Sequence, residues 1–212
     1  TFSLPFGLPN PIFALKFSLT FPSFLKFLPV ATLIACSTME SKSLEGAEKK
    51  SDIPMNFYDL QAEDLQGQTI SFSQFRGKKV LLVNTASECG FTPQLAELQK
   101  LQDRYQGRLV VVGIPTNDFG GQEPLGNSEI GAFCTRNYGV NFLLLAKGST
   151  RGTGQHQVIR WLTTKSLNGV SSSKVWWNFQ KYLVDEQGHL MNWYLPTTSP
   201  LASRLVRKIE GR

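Results

Sequence analysis

At 212 residues, 41% hydrophobic and 18% charged, the chain is long enough to bury a core and reads as one globular domain behind a leader. Its net charge of +6 comes from lysines and arginines interleaved with acids, which indicates a solvated surface and argues against a nucleic-acid footprint. Three cysteines and two histidines, none at metal-ligand spacing, argue against both a disulfide scaffold and a metal site.

Residues 1–55 read as a leader and a polar tether. Between Thr1 and Met39 there is no acid, and Lys16 and Lys26 are the charges. Lys26 precedes a short apolar run ending in Leu33-Ile34-Ala35-Cys36, which resembles the lipobox of bacterial lipoproteins, with Cys36 as the lipidated residue. That reading expects a membrane-anchored protein outside the bacterial cytoplasm, on a charged tether from Ser41 to Asp52. An organellar transit peptide, or a cytoplasmic protein starting at Met39 or Met55, fits the same composition.

The domain occupies residues 56–212. Phe57 to Leu60 and Thr69 to Phe72 are strand-like pieces around Gln66-Gly67-Gln68, predicting an opening hairpin. Lys79 to Asn84 is a continuous apolar run, the pattern of a strand covered on both faces. Thr92-Pro93 predicts a helix start, with Leu95, Leu98, Leu101 and Tyr105 on one stripe and Gly107 as the stop. Arg108 to Ile114 is a second buried strand, so strand, helix and strand form a parallel pair with a right-handed crossover. Asn127-Ser128-Glu129 predicts the cap of a helix reaching about Asn137, and Gln155 to Thr164 a third helix. Lys181 to Val184 and Leu190 to Trp193 flank Asp185-Glu186-Gln187-Gly188 as an antiparallel hairpin, and Ser199-Pro200 predicts the cap of a last helix ending near Lys208 and Gly211. The sum is an α/β layer with a mixed sheet.

Cys89 falls between a buried strand and a helix start. The carboxyl ends of parallel strands are where open α/β sheets build their sites, and unpaired N–H groups at a helix start favour an anion, so a nucleophilic thiolate is the expected form. A buried structural cysteine is the competing role.

Three motifs run in order along the domain: Asn84 to Gln94 around Cys89, Asn117-Asp118-Phe119-Gly120-Gly121-Gln122-Glu123-Pro124, and Trp177-Asn178-Phe179-Gln180-Lys181-Tyr182-Leu183-Val184. Together they resemble the glutathione peroxidase family, with Cys89 where some members carry selenocysteine. The resemblance implies a thioredoxin-like fold, a central mixed sheet flanked by helices with an N-terminal β-hairpin, and a catalytic tetrad of Cys89, Gln122, Trp177 and Asn178. Amide and indole N–H groups suit that role, because they donate to a sulfur anion without adding a charge that needs its own partner. Alone, Gln122 would serve as a turn amide, Asn178 as a strand cap and Trp177 as core; Trp176 is an equally sequence-compatible indole.

The resemblance further implies reduction of hydrogen peroxide and of organic or lipid hydroperoxides through a cysteine sulfenic acid, in oxidative stress defence. It implies no prosthetic cofactor and no metal, only a thiol co-substrate such as thioredoxin or glutathione. Cys134 resembles the resolving cysteine of two-cysteine members, its competing role being to fill a helix core face, and the position of another common family cysteine is Thr116 here. The short stretch from Thr163 to Val175 resembles the monomeric, thioredoxin-using branch. Two departures stand out: Leu143 replaces a common proline, and no proline follows His156, a residue assigned to structure. A peroxide sensor or relay that oxidises a partner protein would share the first chemical step. A disulfide exchanger on the same scaffold is disfavoured by Cys89-Gly90-Phe91-Thr92, which lacks a second cysteine.

Overall fold

In the computed structural model, residues 54–212 are described, and the leader with Cys36 lies outside them. A small hairpin pairs β1 (Gln61–Glu63) with β2 (Thr69–Ser71). The main sheet contains β3 (Lys79–Thr85), β4 (Leu109–Pro115), β5 (Leu143–Leu144), β6 (Lys181–Val184) and β7 (Leu190–Tyr194), in the order β5-β4-β3-β6-β7. The helices are α1 (Gln94–Arg104), α2 (Asn127–Tyr138), α3 (Gln157–Thr163), α4 (Lys165–Asn168) and α5 (Ser203–Glu210). Strands β3, β4 and β5 run parallel, while β6 and β7 add antiparallel edges, giving the expected mixed sheet.

Every residue of β3 is buried, which is why its centre, Val80 to Val83, is a continuous apolar run. Alternation along it feeds two cores. Leu81 and Val83 pack with Leu95, Leu98 and Leu101 of α1, Ile130 of α2 and Leu205 of α5. Val80 and Leu82 pack on the other face with Trp161 of α3, Phe57 and Phe72. Each such aliphatic side chain contributes about 1.5–3 kcal/mol by leaving water. Among the described residues, no helix is long and apolar enough to cross a membrane.

Several element boundaries differ from expectation for identifiable reasons. Phe57 to Leu60 is not a strand: Phe57–Asp59 forms a 3-10 turn, opened by the Asn56 side chain accepting from Tyr58 N–H at 3.0 Å. A turn buries Phe57 and Tyr58 in one core, where a strand would send them to opposite faces. Helix α2 is opened by Gly126, whose N–H donates to the Glu129 carboxylate at 2.9 Å, and Asn127 Oδ1 instead accepts from Lys147 N–H at 3.0 Å. At the start of α3, His156 caps the helix through Nδ1, which accepts from Val158 N–H at 3.3 Å. Helix α5 begins only at Ser203: the Ser199 hydroxyl accepts from Leu201 N–H at 3.1 Å and donates to Glu97 at 2.6 Å, so it caps the turn that precedes the helix. The short β5 and α4 were not foreseen, being two and four residues long.

Lys181 is an exception inside the sheet. Its side chain is wholly buried, and its ammonium donates to the side-chain Oε1 of Gln94, the first residue of α1, and to Pro196 O at 3.1 Å. Burial pushes its pKa down to about 7 from an ordinary 10.5. Because the folded value is the lower one, the penalty of the charge is complete below about pH 7 and is relieved as pH rises toward the unfolded value. The stability of the parent relative to Lys181→Met should therefore climb between these limits, as read by urea unfolding of both proteins across pH. A difference that stays flat with pH would contradict the burial of that charge.

Candidate active site

Parallel pairing brings the carboxyl ends of β3 and β4 together, and Thr116 N–H closes onto Thr85 O at 3.0 Å just beyond them. The loops leaving these two ends, 86–93 and 116–126, form the floor of the site. Cys89 lies on the first and is buried, at 8% exposure.

Thr92 shapes that loop and does not cap α1 as its sequence position suggested. Its hydroxyl accepts from Cys89 N–H at 3.0 Å and donates to Ala86 O at 2.9 Å, while its own N–H returns to Cys89 O at 2.9 Å. Further three-residue turns follow, Gln94 N–H to Phe91 O and Leu95 N–H to Thr92 O, so the chain coils tightly from Cys89 until α1 takes over at Gln94. The sulfur accepts from Phe91 N–H at 3.4 Å.

The second loop carries Gln122. Gly120 and Gly121 both sit at φ +66°, a pair of left-handed residues that only glycine adopts without strain. They turn the chain so that Gln122 O accepts from Glu88 N–H at 2.9 Å, one residue from the sulfur. Glu123 adds a second tie, accepting from the Ser87 hydroxyl at 2.8 Å, and its N–H donates to Asn117 at 2.8 Å. Burial pushes the Glu123 carboxyl up, against the opposing pull of that Ser87 bond.

Asn178 and Trp177 arrive on the segment before β6. Asn178 is fully buried, and its amide donates to Gln122 Oε1 at 2.9 Å. That bond engages the carbonyl side of Gln122 and leaves its NH2 as a donor. The Asn178 carbonyl is a buried acceptor with no protein partner among the described residues. Trp177 packs its ring 5.7 Å from Phe119 of the second loop, whereas Trp176 projects outward at 61% exposure. Of the two indoles, Trp177 is thus the one that meets the loop bearing Gln122. Gln122, Asn178 and Trp177 gather beside the Cys89 loop, but among the described residues none of them hydrogen-bonds the sulfur, whose donor is Phe91 N–H.

This segment is held by Asn84, a buried polar residue that follows the apolar run Val80 to Val83 in β3. Its side chain donates to Trp177 O at 3.1 Å and accepts from Gln180 N–H at 3.0 Å, and its backbone carbonyl accepts from Phe179 N–H at 2.7 Å. Phe179 is held at φ +67°, a conformation costing about 1–2 kcal/mol for a residue with a Cβ.

Cys134 sits on α2, 3% exposed, with its pKa pushed up to about 12 by burial and then by the Glu123 carboxylate. It is a free thiol, as is Cys89, and both belong to the core on the α1 and α2 side. Asn84, Ser87 and Glu123 were given no individual role from sequence, and Thr92 only that of a helix cap; a polar Asn near the end of a buried strand was the available signal for the first. No group of three or more His, Cys, Asp or Glu suited to a metal occurs among the described residues.

A family model for glutathione peroxidase matches residues 57–163. The chain is 42% identical to a glutathione peroxidase of Lactococcus lactis over 147 residues, 69% of this chain and 93% of that protein. It is 40% identical to glutathione peroxidase-like peroxiredoxin 2 of Saccharomyces cerevisiae over 157 residues, 74% and 96% of the two chains. Among solved structures, the apo crystal structure of Trgpx superposes with a TM-score of 0.57 at 29% identity, covering 74% of this chain and 96% of that one. A thioredoxin-family thiol:disulfide interchange protein of Chlorobium tepidum, at TM-score 0.52 and 15% identity over 74% and 97% of the chains, shares the thioredoxin-like fold alone.

Removing the Asn84 side chain leaves Trp177 O and Gln180 N–H without their buried partner. Asn84→Ala should therefore destabilise the protein by about 2–4 kcal/mol, measured by denaturant unfolding. A loss under about 1 kcal/mol would mean that these bonds do not hold the segment.

Proposed function

This chain belongs to the glutathione peroxidase family and is a thiol peroxidase, and we propose that Cys89 is its peroxidatic residue, served by Gln122, Trp177 and Asn178. The observation that carries the assignment is the joining of the Cys89 loop to Gln122, through the Glu88–Gln122 bond, with Gln122 in turn bonded to Asn178.

In this mechanism the Cys89 thiolate attacks the distal oxygen of a hydroperoxide. The O–O bond breaks, sulfur keeps that oxygen as a sulfenic acid, and the other oxygen leaves as water or an alcohol after taking up a proton. The Gln122 NH2 and the Trp177 indole N–H are neutral donors for the sulfur anion and the departing oxygen, and Asn178 orients Gln122. Peroxides from hydrogen peroxide to organic and lipid hydroperoxides fit a site near the surface with an indole at its rim.

Cys134 then acts as the resolving thiol. Its sulfur displaces hydroxide from Cys89, forming a disulfide and, with the thiol proton, water. Disulfide geometry requires the two Cα atoms within about 7 Å. Cys134 is embedded in a helix and held protonated, so this step includes opening of α2. A dithiol protein of the thioredoxin type restores both thiols by exchange, with glutathione as the alternative donor, and the enzyme works as a monomer. Lipidation at Cys36 would hold it at a membrane surface outside the cytoplasm; the tether would then bring the site close to membrane hydroperoxides.

Peroxide consumption should vanish in Cys89→Ser, and a variant that keeps the parent rate would sink the assignment. In Cys134→Ser, stoichiometric peroxide should leave Cys89 as a trappable sulfenic acid in place of a disulfide, and turnover with thioredoxin should collapse. Mass mapping of the two cysteines reads both outcomes; an undiminished thioredoxin-supported rate would remove Cys134 from the cycle.

A further inference from the structure

The segment from Gly148 to His156 lies outside every motif assigned above, yet it grips the loop that carries Gln122. Gly148 N–H donates to Pro115 O at 3.0 Å, and His156 N–H to Ser149 O at 2.8 Å, so both ends of the segment are fixed, one on the end of β4 and one at the start of α3. Between them, one carboxylate oxygen of Asp118 receives three donors: the Ser149 hydroxyl at 2.9 Å, Thr150 N–H at 2.5 Å and the Thr150 hydroxyl at 2.7 Å. Burial alone would raise the Asp118 carboxyl, but these bonds and the nearby Arg151 charge leave it below its ordinary value, so it stays ionised throughout the neutral range.

Arg151 completes the grip. Its guanidinium donates to the Asp118 backbone carbonyl and lies over the Phe119 ring, 5.3 Å from the centroid, while that ring packs at 5.7 Å on Trp177. The residues after Phe119 are the two left-handed glycines and Gln122, whose N–H returns to Phe119 O at 3.4 Å. A chain of contacts therefore runs from an exposed guanidinium, through Phe119, to both the indole and the amide of the site.

We propose that Arg151 is a positioning residue for peroxide reduction: from outside the tetrad it fixes Phe119, and through Phe119 sets where Trp177 and Gln122 stand beside Cys89. This rests on the peroxidase reading above and adds to it a residue that touches neither substrate nor sulfur. Glycine pairs make a loop easy to displace, and a donor moved by a fraction of an ångström loses much of its effect on a transition state. An Arg over an aromatic face, also bonded to the adjacent carbonyl, restrains ring and backbone together.

The test uses the whole chain with Cys134→Ser, so that peroxide oxidation of Cys89 is followed as a single step by stopped-flow. Arg151→Met should lower its second-order rate constant about tenfold, and Arg151→Lys, which keeps a cation over Phe119, should recover most of that loss. The melting temperature should be unchanged in both, because Arg151 is exposed, and collisional quenching of tryptophan emission should increase in Arg151→Met as Trp177 loosens. An unchanged rate constant in Arg151→Met, or equal losses in the Met and Lys variants, would overturn the proposal. Failure of the underlying peroxidase reading would look different: the Arg151 parent itself would not oxidise Cys89.

Discussion

The site depends on a side-chain amide placed where the strand run ends. Asn84, the next-to-last residue of β3, supplies a side-chain donor to Trp177 O and an acceptor for Gln180 N–H in the reversing segment 177–180. A buried polar group stabilises only when all its partners are met, and here meeting them forces one path on the chain, with a left-handed Phe179 as the consequence. An aliphatic residue at this position would pack as well, but it would leave the approach of Trp177 and Asn178 undetermined.

From that constraint the rest assembles as two loops fastened edge to edge. Glu88 to Gln122 and Ser87 to Glu123 are successive ties between the segment bearing the sulfur and the segment bearing the amide. The groups converging here are neutral donors. In a partly desolvated pocket a cation would stabilise a thiolate more strongly but would itself have to be taken out of water, whereas amide and indole dipoles are oriented at little desolvation penalty. Charge is kept one layer back: the Glu123 carboxylate accepts from the Ser87 hydroxyl, the Asp118 carboxylate from Ser149 and Thr150, and the Arg151 guanidinium donates to the Asp118 backbone carbonyl.

Much of this was legible from the residues. The two apolar runs gave the parallel pair of buried strands, and of the residues marked by the three motifs, Gln122 and Asn178 are directly hydrogen-bonded. Legibility failed where a polar side chain could serve two masters. Thr92 and Ser199 each precede proline and read as helix caps, yet one hydroxyl staples the Cys89 turn and the other reaches Glu97 from a distant part of the chain. Asn127 likewise turned from a cap into a partner for Lys147. Such choices are made by tertiary contacts, which local pattern does not contain. Phe57 and Tyr58 failed for another reason: a short apolar pair has no period, and burial of both in one core selected a turn.

The embedding of Cys134 in the middle of α2 has a kinetic corollary. In the proposed cycle, a second sulfur that must wait for its helix to fray would give the oxidised first sulfur a waiting time, set by the frequency of that opening and not by collision. During that interval the oxidised form is open to interception by any thiol small enough, or well enough shaped, to reach it first. In that cycle the stability of a single helix would act as a clock, dividing oxidising equivalents between internal closure and transfer to another molecule.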